Sequence, residues 1–208
     1  GTEIHHCVCI MRADTVTGPY EGNRANPVMT HRHLGSKVDV VGAGHADLVQ
    51  AADGSWWAVL LAMRIYGGYH YPLGRETFLV PVTWEDGWPV FAPGVGRIPP
   101  VVEVPFADDA PLGVAQGAIG GVVCPDDPRW NTLRGPADRF ATISGTSVRL
   151  RPTDDRLSDP GTPAFLGIRQ QHRNVDFQVS LKPELTAGQE AGLVIRQGER
   201  DHVRLGIR

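Results

Sequence analysis

Between Gly44 and Phe91 the apolar positions gather into short runs separated by polar turns. Leu48-Val49 precede Asp53-Gly54, Ser55 to Met63 follow it, and Arg75 to Trp84 lead to a second aspartate-glycine pair, Asp86-Gly87. Aspartate-glycine suits the left-handed backbone of tight hairpin turns. The third run is rich in Thr, Val, Phe and Trp, residues that favour a pleated, half-buried surface. The pattern predicts a small antiparallel meander. Two of its polar exceptions stand out: His45 falls just before the first strand, and Arg75 with Glu76 opens the third.

Upstream, residues 6–13 read as a strand, Asp14 to Pro19 as a turn, and residues 23–43 as loop, with Asn26-Pro27 restricting the backbone there. Downstream, prolines recur at 93, 99, 100, 105 and 111, which suits a stiff connector. The second half carries spaced strand signals at 146–151, 164–171, 175–182, 191–197 and 202–208. The clearest is VDFQVSLKP, where Val175, Phe177, Val179 and Leu181 share one face. Spaced strands of this kind predict a β-sandwich.

Composition sharpens the class. Of 208 residues, 25 are Gly and 17 Pro, well above the average usage of roughly 12% for the two together, which favours turns and short strands over helices. A formal net charge of -3 leaves no basic surplus, so neither nucleic acid nor an anionic membrane surface is expected as a partner. No apolar run approaches the roughly 18 residues of a membrane span. The three cysteines, Cys7, Cys9 and Cys124, lack a disulfide-framework spacing and read as free thiols in a reducing, cytoplasmic compartment. The chain opens on Gly1 without a signal peptide, and a segment before it, and with it secretion, stays open.

The ordered fragments GHADLV at 44–49, DGSWWAVLLAMR at 53–64, LGRET at 73–77 and WEDGWPVF at 84–91 resemble the closing part of the catalytic propeller in glycoside hydrolase family 43, the β-xylosidases and α-L-arabinofuranosidases. WNTLRGP, PAFLGIRQQH and EAGLVIRQGERDHVRLGI in the second half resemble the concanavalin-A-like sandwich that follows that propeller. The resemblance implies an all-β architecture: the last blades of a five-bladed propeller in residues 1–92, a Pro/Gly-rich connector in 93–125 and the first part of a sandwich in 126–208. The expectation is an internal fragment of a longer enzyme, prone to self-association through its open blade edges.

The resemblance also implies a chemistry. The family hydrolyses glycosides with inversion, using one protonated and one charged carboxyl group about 6.5 to 9.5 Å apart. Gly1-Thr2, His6 and TGPYEG at 17–22 match the segment just after the family's general acid. That glutamate, and the two aspartates serving as base and as pKa modulator, are therefore expected upstream of Gly1, and no catalytic residue is assigned in this chain. Arg75 matches the family's sugar-binding arginine, with pairing to Glu76 as the structural alternative. His45 matches a histidine near the propeller axis that faces the active site and in some relatives meets calcium or its water shell, although calcium prefers oxygen donors. Thr2 and His6 match the pocket wall. No cofactor is required, and the expected partner is a xylose- or arabinose-containing oligosaccharide, with homo-oligomerisation of the intact protein left open. A non-catalytic carbohydrate-binding protein is the alternative function.

Several other groups read as structural. His5, Cys7 and Cys9 on one strand face amount to three zinc ligands without a complement, and small packed thiols are the expectation. His31-Arg32-His33 reads as a solvated loop. Most of Trp56, Trp57, Trp84 and Trp88 are expected to pack, since neighbours on a strand point to opposite sides, while Tyr66 to Tyr71 is the better substrate-facing wall.

Overall fold

The computed structural model describes residues 5–105, 129–144 and 147–208. The chain forms two compact units, Gly1–Gly113 and Val114–Arg208. Among the described residues the regular structure is strands and two single 3₁₀ turns, Gly35–Lys37 and Ala137–Arg139.

The first unit is built on one four-stranded antiparallel sheet in simple meander order: β3 (Val40–Gln50), β4 (Trp56–Arg64), β5 (Glu76–Glu85) and β6 (Trp88–Phe91). The two aspartate-glycine pairs make its hairpin turns, in different ways. Between β5 and β6, Asp86 and Gly87 both take left-handed backbone, φ 50° and 73°, and Glu85 pairs directly with Trp88. Between β3 and β4 only Gly54 is left-handed, with φ 87°, and the Ala51 amide donates to the Ser55 carbonyl across a wider loop. Asp53 closes that loop by accepting the Ser55 amide and hydroxyl, and these bonds, the hydroxyl first, hold its carboxyl below the usual range.

One face of the sheet is the core. Ala58, Leu60 and Ala62 alternate on β4, opposite Val80, Phe78 and Glu76 of β5, and they pack with Val40, Ala43, Val82, Phe91, Ala92 and Ile98. A buried leucine such as Leu60 contributes about 1.5–3 kcal/mol relative to exposure. The aromatics divide as alternation requires: Trp57 is buried and donates to Ser55 Oγ at 2.8 Å, and Trp56 meets Trp84 edge-on at 5.2 Å.

Two expectations for this unit need correction. Residues 40–43 are strand, not loop, so His45 lies within β3 rather than before it. Residues 6–13 form a broken strand, with one bridge from Val8 to Met29 and a two-residue pair between β1 (Met11–Arg12) and β2 (Glu21–Gly22). The interruption has a local cause: the Asn26 side chain takes both backbone groups of Ile10, accepting its amide and donating to its carbonyl at 2.8 Å each.

The second unit consists of short antiparallel pairs: β7 (Trp130–Asn131) with β10 (Gly167–Ile168), β8 (Ala141–Ser144) with β9 (Ser147–Leu150), and β11 (Ala191–Arg196) with β12 (His202–Ile207). Arg134 ties its loops together, donating to the Gly161 and Asp159 carbonyls at 2.6 and 2.8 Å and to Glu199 at 2.7 Å. The strand expected at 175–182 does not form. Val175, Phe177, Val179 and Leu181 are all exposed, and an alternating pattern without a partner ladder has nothing to satisfy its backbone. Cys124 and residues 106–125 of the expected connector lie outside the described residues.

Candidate functional site

The site grows out of two irregularities in β3. Val41 pairs with Met63, Gly44 with Leu61 and Asp47 with Val59, so β3 twice advances three residues while β4 advances two. Each step is a β-bulge carrying one extra residue. Gly42 and His45 fall within these steps, both with left-handed backbone at φ 68° and 54°. Glycine adopts that conformation without cost. For histidine it is strained, and such strain persists where the surroundings hold it. The result is that His45 turns out of the strand alternation and stands exposed beside the core-facing Ala46.

His6 fits into the bend. Its Nδ1 donates to the Gly42 carbonyl at 3.0 Å, and its own carbonyl accepts the Thr30 hydroxyl at 3.0 Å. The imidazole lies so close to Gly44 that a β-carbon there would stand 2.5 Å from its Cδ2 and Cγ. Gly44 is thus the seat of the His6 ring.

Arg75 stands at the same end of the sheet. Ala62 pairs with Glu76, so Arg75 falls one step beyond, level with Met63 and Val41 and two strands from the bulges. Two inter-strand spacings are about 10 Å. Arg75 is exposed and makes no side-chain hydrogen bond or ion pair with another described residue. The pairing with Glu76 is absent because Glu76 is engaged elsewhere: Arg64 Nη2 reaches its Oε1 at 2.6 Å, and Arg64 Nε lies 3.1 and 3.0 Å from the two oxygens. That carboxylate, chiefly through its hydrogen bonds, raises the Arg64 guanidinium above its ordinary range.

Nearby, Val41, His5, Arg32 and Tyr69, the last from the loop before LGRET, border a small cavity of about 40 Å³. Asp47 is exposed and does not hydrogen-bond His45. Among the described residues no three His, Cys, Asp or Glu side chains gather as a metal cage, so His45 does not by itself fit the oxygen-rich shell calcium needs. Cys7 and Cys9 are free. Burial and the hydrogen bond with Cys7 push the Cys9 thiol up, away from the thiolate that binds metal. Thr2 lies outside the described residues.

The sequence reading missed three contributors. His31 is buried rather than solvated, Gly44 holds His6, and Arg64 frees Arg75 by occupying Glu76. The glycines of GAGH were a visible signal of close backbone approach; the placement of His31 left none.

A blade-like meander followed by a unit of short antiparallel pairs is the order of an all-β propeller glycosidase with an appended sandwich. The chain belongs to glycosyl hydrolases family 43: residues 1–89 match that family, and residues 126–208 match the β-xylosidase C-terminal concanavalin A-like domain. It is 34% identical to a xylosidase/arabinosidase of Butyrivibrio fibrisolvens, over 99% of this chain and 40% of that protein. It is 36% identical to a non-reducing end α-L-arabinofuranosidase of Bacteroides ovatus, over 100% of this chain and 40% of the relative. The crystal structure of a xylan β-1,4-xylosidase from Bacillus halodurans superposes with a TM-score of 0.73 at 28% identity, covering 99% of this chain and 40% of that one. The chain spans about 40% of the length of these relatives.

Proposed function

We propose that the chain is part of an inverting glycoside hydrolase that releases xylose or arabinose from xylan-derived oligosaccharides, and that it contributes the sugar-holding side of the pocket. Arg75 anchors the terminal sugar, His45 and His6 line its surroundings with Thr2, and the carboxyl pair comes from outside the chain. The observation that carries this is the state of Arg75: a guanidinium with no partner among the described residues, on a sheet end shaped by two bulges, beside a glutamate already taken by Arg64. A planar fork of donors in that state suits adjacent sugar hydroxyls. The relatives' names, xylosidase/arabinosidase and α-L-arabinofuranosidase, support the substrate class.

The proposed reaction needs no cofactor, and calcium at His45 would need oxygen donors beyond the described residues. The free thiols of Cys7 and Cys9 support a reducing compartment. The test is saturation-transfer NMR of xylose and arabinose with the 208-residue chain, together with an aryl xyloside turnover assay. Sugar contact that disappears in Arg75→Ala, without turnover by this chain, is expected. Contact that survives Arg75→Ala refutes the anchor, and turnover refutes the placement of the acids outside the chain.

A further inference from the structure

Among the described residues His31 is the buried polar side chain, 3% exposed, and both of its ring nitrogens are engaged with backbone. Nδ1 lies 2.7 Å from the Val40 carbonyl at the start of β3, and the Ile98 amide donates to Nε2 at 2.9 Å. A carbonyl can only accept and an amide N–H can only donate. The ring must therefore carry its proton on Nδ1 and a lone pair on Nε2. The two bonds are compatible only in this neutral tautomer.

Val40 lies nine residues from His31, whereas Ile98 lies 67 residues away. His31 is in the loop before β3, Val40 begins the sheet, and Ile98 is in the stretch by which the chain leaves β6. Val40 and Ile98 are both core residues, so the imidazole pins the departing chain to the first strand at a point where both are packed. Beside it runs a cleft of about 190 Å³, bordered by Lys37, Asp39, Arg97 and Pro100 among others. His31 also borders the smaller cavity, with His5, Arg32 and Tyr69. Of the charged residues that border these two cavities with His31 among the described residues, Arg32, Lys37 and Arg97 are fixed cations and Asp39 is the carboxylate, an environment that opposes a further positive charge.

We propose that His31 is a proton-operated latch: neutral, it staples the chain at Ile98 to β3, and protonation of Nε2 sets two N–H groups against each other and releases the segment around Arg97 to Pro100. The ring holds its neutral form below the ordinary histidine range, first through burial and then through Arg97, against the opposing effect of the Val40 bond. The latch therefore stays closed near neutrality and opens in acid. Opening by protonation makes the open fraction rise about tenfold per pH unit while the open ring is charged and the closed ring is not.

The experiment is amide exchange at Ile98, corrected for intrinsic rate, with ¹⁵N shifts of the His31 ring, on the whole chain between pH 7.5 and 5, a range chosen to span the ordinary histidine transition near about 6.5. Expected are a lone-pair signal at Nε2 at the upper end and a loss of Ile98 protection approaching tenfold per unit below the ordinary transition. His31→Asn, whose amide can still donate to Val40 but offers Ile98 no acceptor in the same place, is expected to leave Ile98 weakly protected at every pH. Should that variant fail to fold, the wild-type pair of readouts decides alone. A proton on Nε2 at pH 7.5, a ring that titrates while Ile98 protection stays flat, or protection at Ile98 retained in a folded His31→Asn, would overturn the latch.

Discussion

Replacing Gly44 by alanine tests whether the bend in β3 exists to seat His6. Gly44 is not among the left-handed glycines, so alanine meets no backbone penalty, and the whole cost should come from the added methyl. Its carbon would stand 2.5 Å from His6 Cδ2 and Cγ and 2.6 Å from Nε2, against a normal carbon separation of about 3.5–4.0 Å. The ring must retreat by roughly 1 Å, and its Nδ1 bond to Gly42 then stretches beyond use. Overpacking of this kind costs about 1–3 kcal/mol, and the lost hydrogen bond about 0.5–1.5 kcal/mol. We expect Gly44→Ala to destabilise the first unit by about 2 kcal/mol. In a His6→Ala background the collision has no partner. The same substitution there should be neutral or stabilising by about 0.4–1 kcal/mol through the stiffer unfolded chain. Urea unfolding followed by tryptophan fluorescence reads this out, because Trp56, Trp57, Trp84 and Trp88 all belong to the first unit. An equal cost in both backgrounds would show that Gly44 serves something other than His6, and the account of the seat would fall.

Four further outcomes are expected. Arg12 stacks on Trp88 at 4.1 Å, donates to the Asp86 carbonyl at 2.8 Å and pairs with Glu21 at 3.2 Å; Arg12→Ala should cost about 1–2 kcal/mol, and Arg12→Lys should recover less than half of it in the same melt. Arg75→Ala should leave stability within about 0.5 kcal/mol of wild type, whereas Glu76→Ala, which strips Arg64 of its carboxylate, should cost about 1–3 kcal/mol; the reverse ranking would contradict the division of labour between neighbours. His45→Gly relieves the left-handed strain at φ 54° and should raise stability by about 1 kcal/mol, and a loss instead would mean that the imidazole makes a stabilising contact. For His31 the folded ring is held neutral below its unfolded value, so the unfolded chain binds the proton more readily; stability is full above about pH 6.5, falls as pH drops through that value and levels off below the folded transition, and a pH-stability curve of wild type minus His31→Asn should isolate this step.

The relation between sequence and structure differs from element to element. The meander was legible because its signals are local: aspartate-glycine at the turns, and between them runs rich in apolar, β-branched and aromatic residues. β3 was only half legible, since its two bulges break the period of two on which strand reading depends, and buried positions run unbroken from 40 to 44 rather than falling on alternate residues. VDFQVSLKP erred in the opposite sense. Its alternation is perfect, but alternation states only that a strand would have two unlike faces, and a ladder partner is a non-local fact. The site behaved the same way. Arg75 and His45 could be singled out by motif, whereas the capture of the Glu76 carboxylate by Arg64 depends on cross-strand register, a non-local fact.

That capture engages one of two neighbouring arginines and leaves the other without a partner among the described residues. Cross-strand pairing gives Glu76 a position opposite Ala62, two residues from Arg64 along β4, within reach of a guanidinium that takes both oxygens. One arginine pairs across the sheet with Glu76, and the other, level with the start of the bulged stretch, has no partner among the described residues. The bulges act in the same direction: each extra residue of β3 costs ladder regularity, and one of them turns His45 out of register while the bend accommodates His6 over Gly44. A regular β3 would carry a better ladder and no room for His6. The irregular strand and an arginine without a partner among the described residues thus meet at one end of the sheet, and the sheet's apolar core residues supply stability that neither contributes.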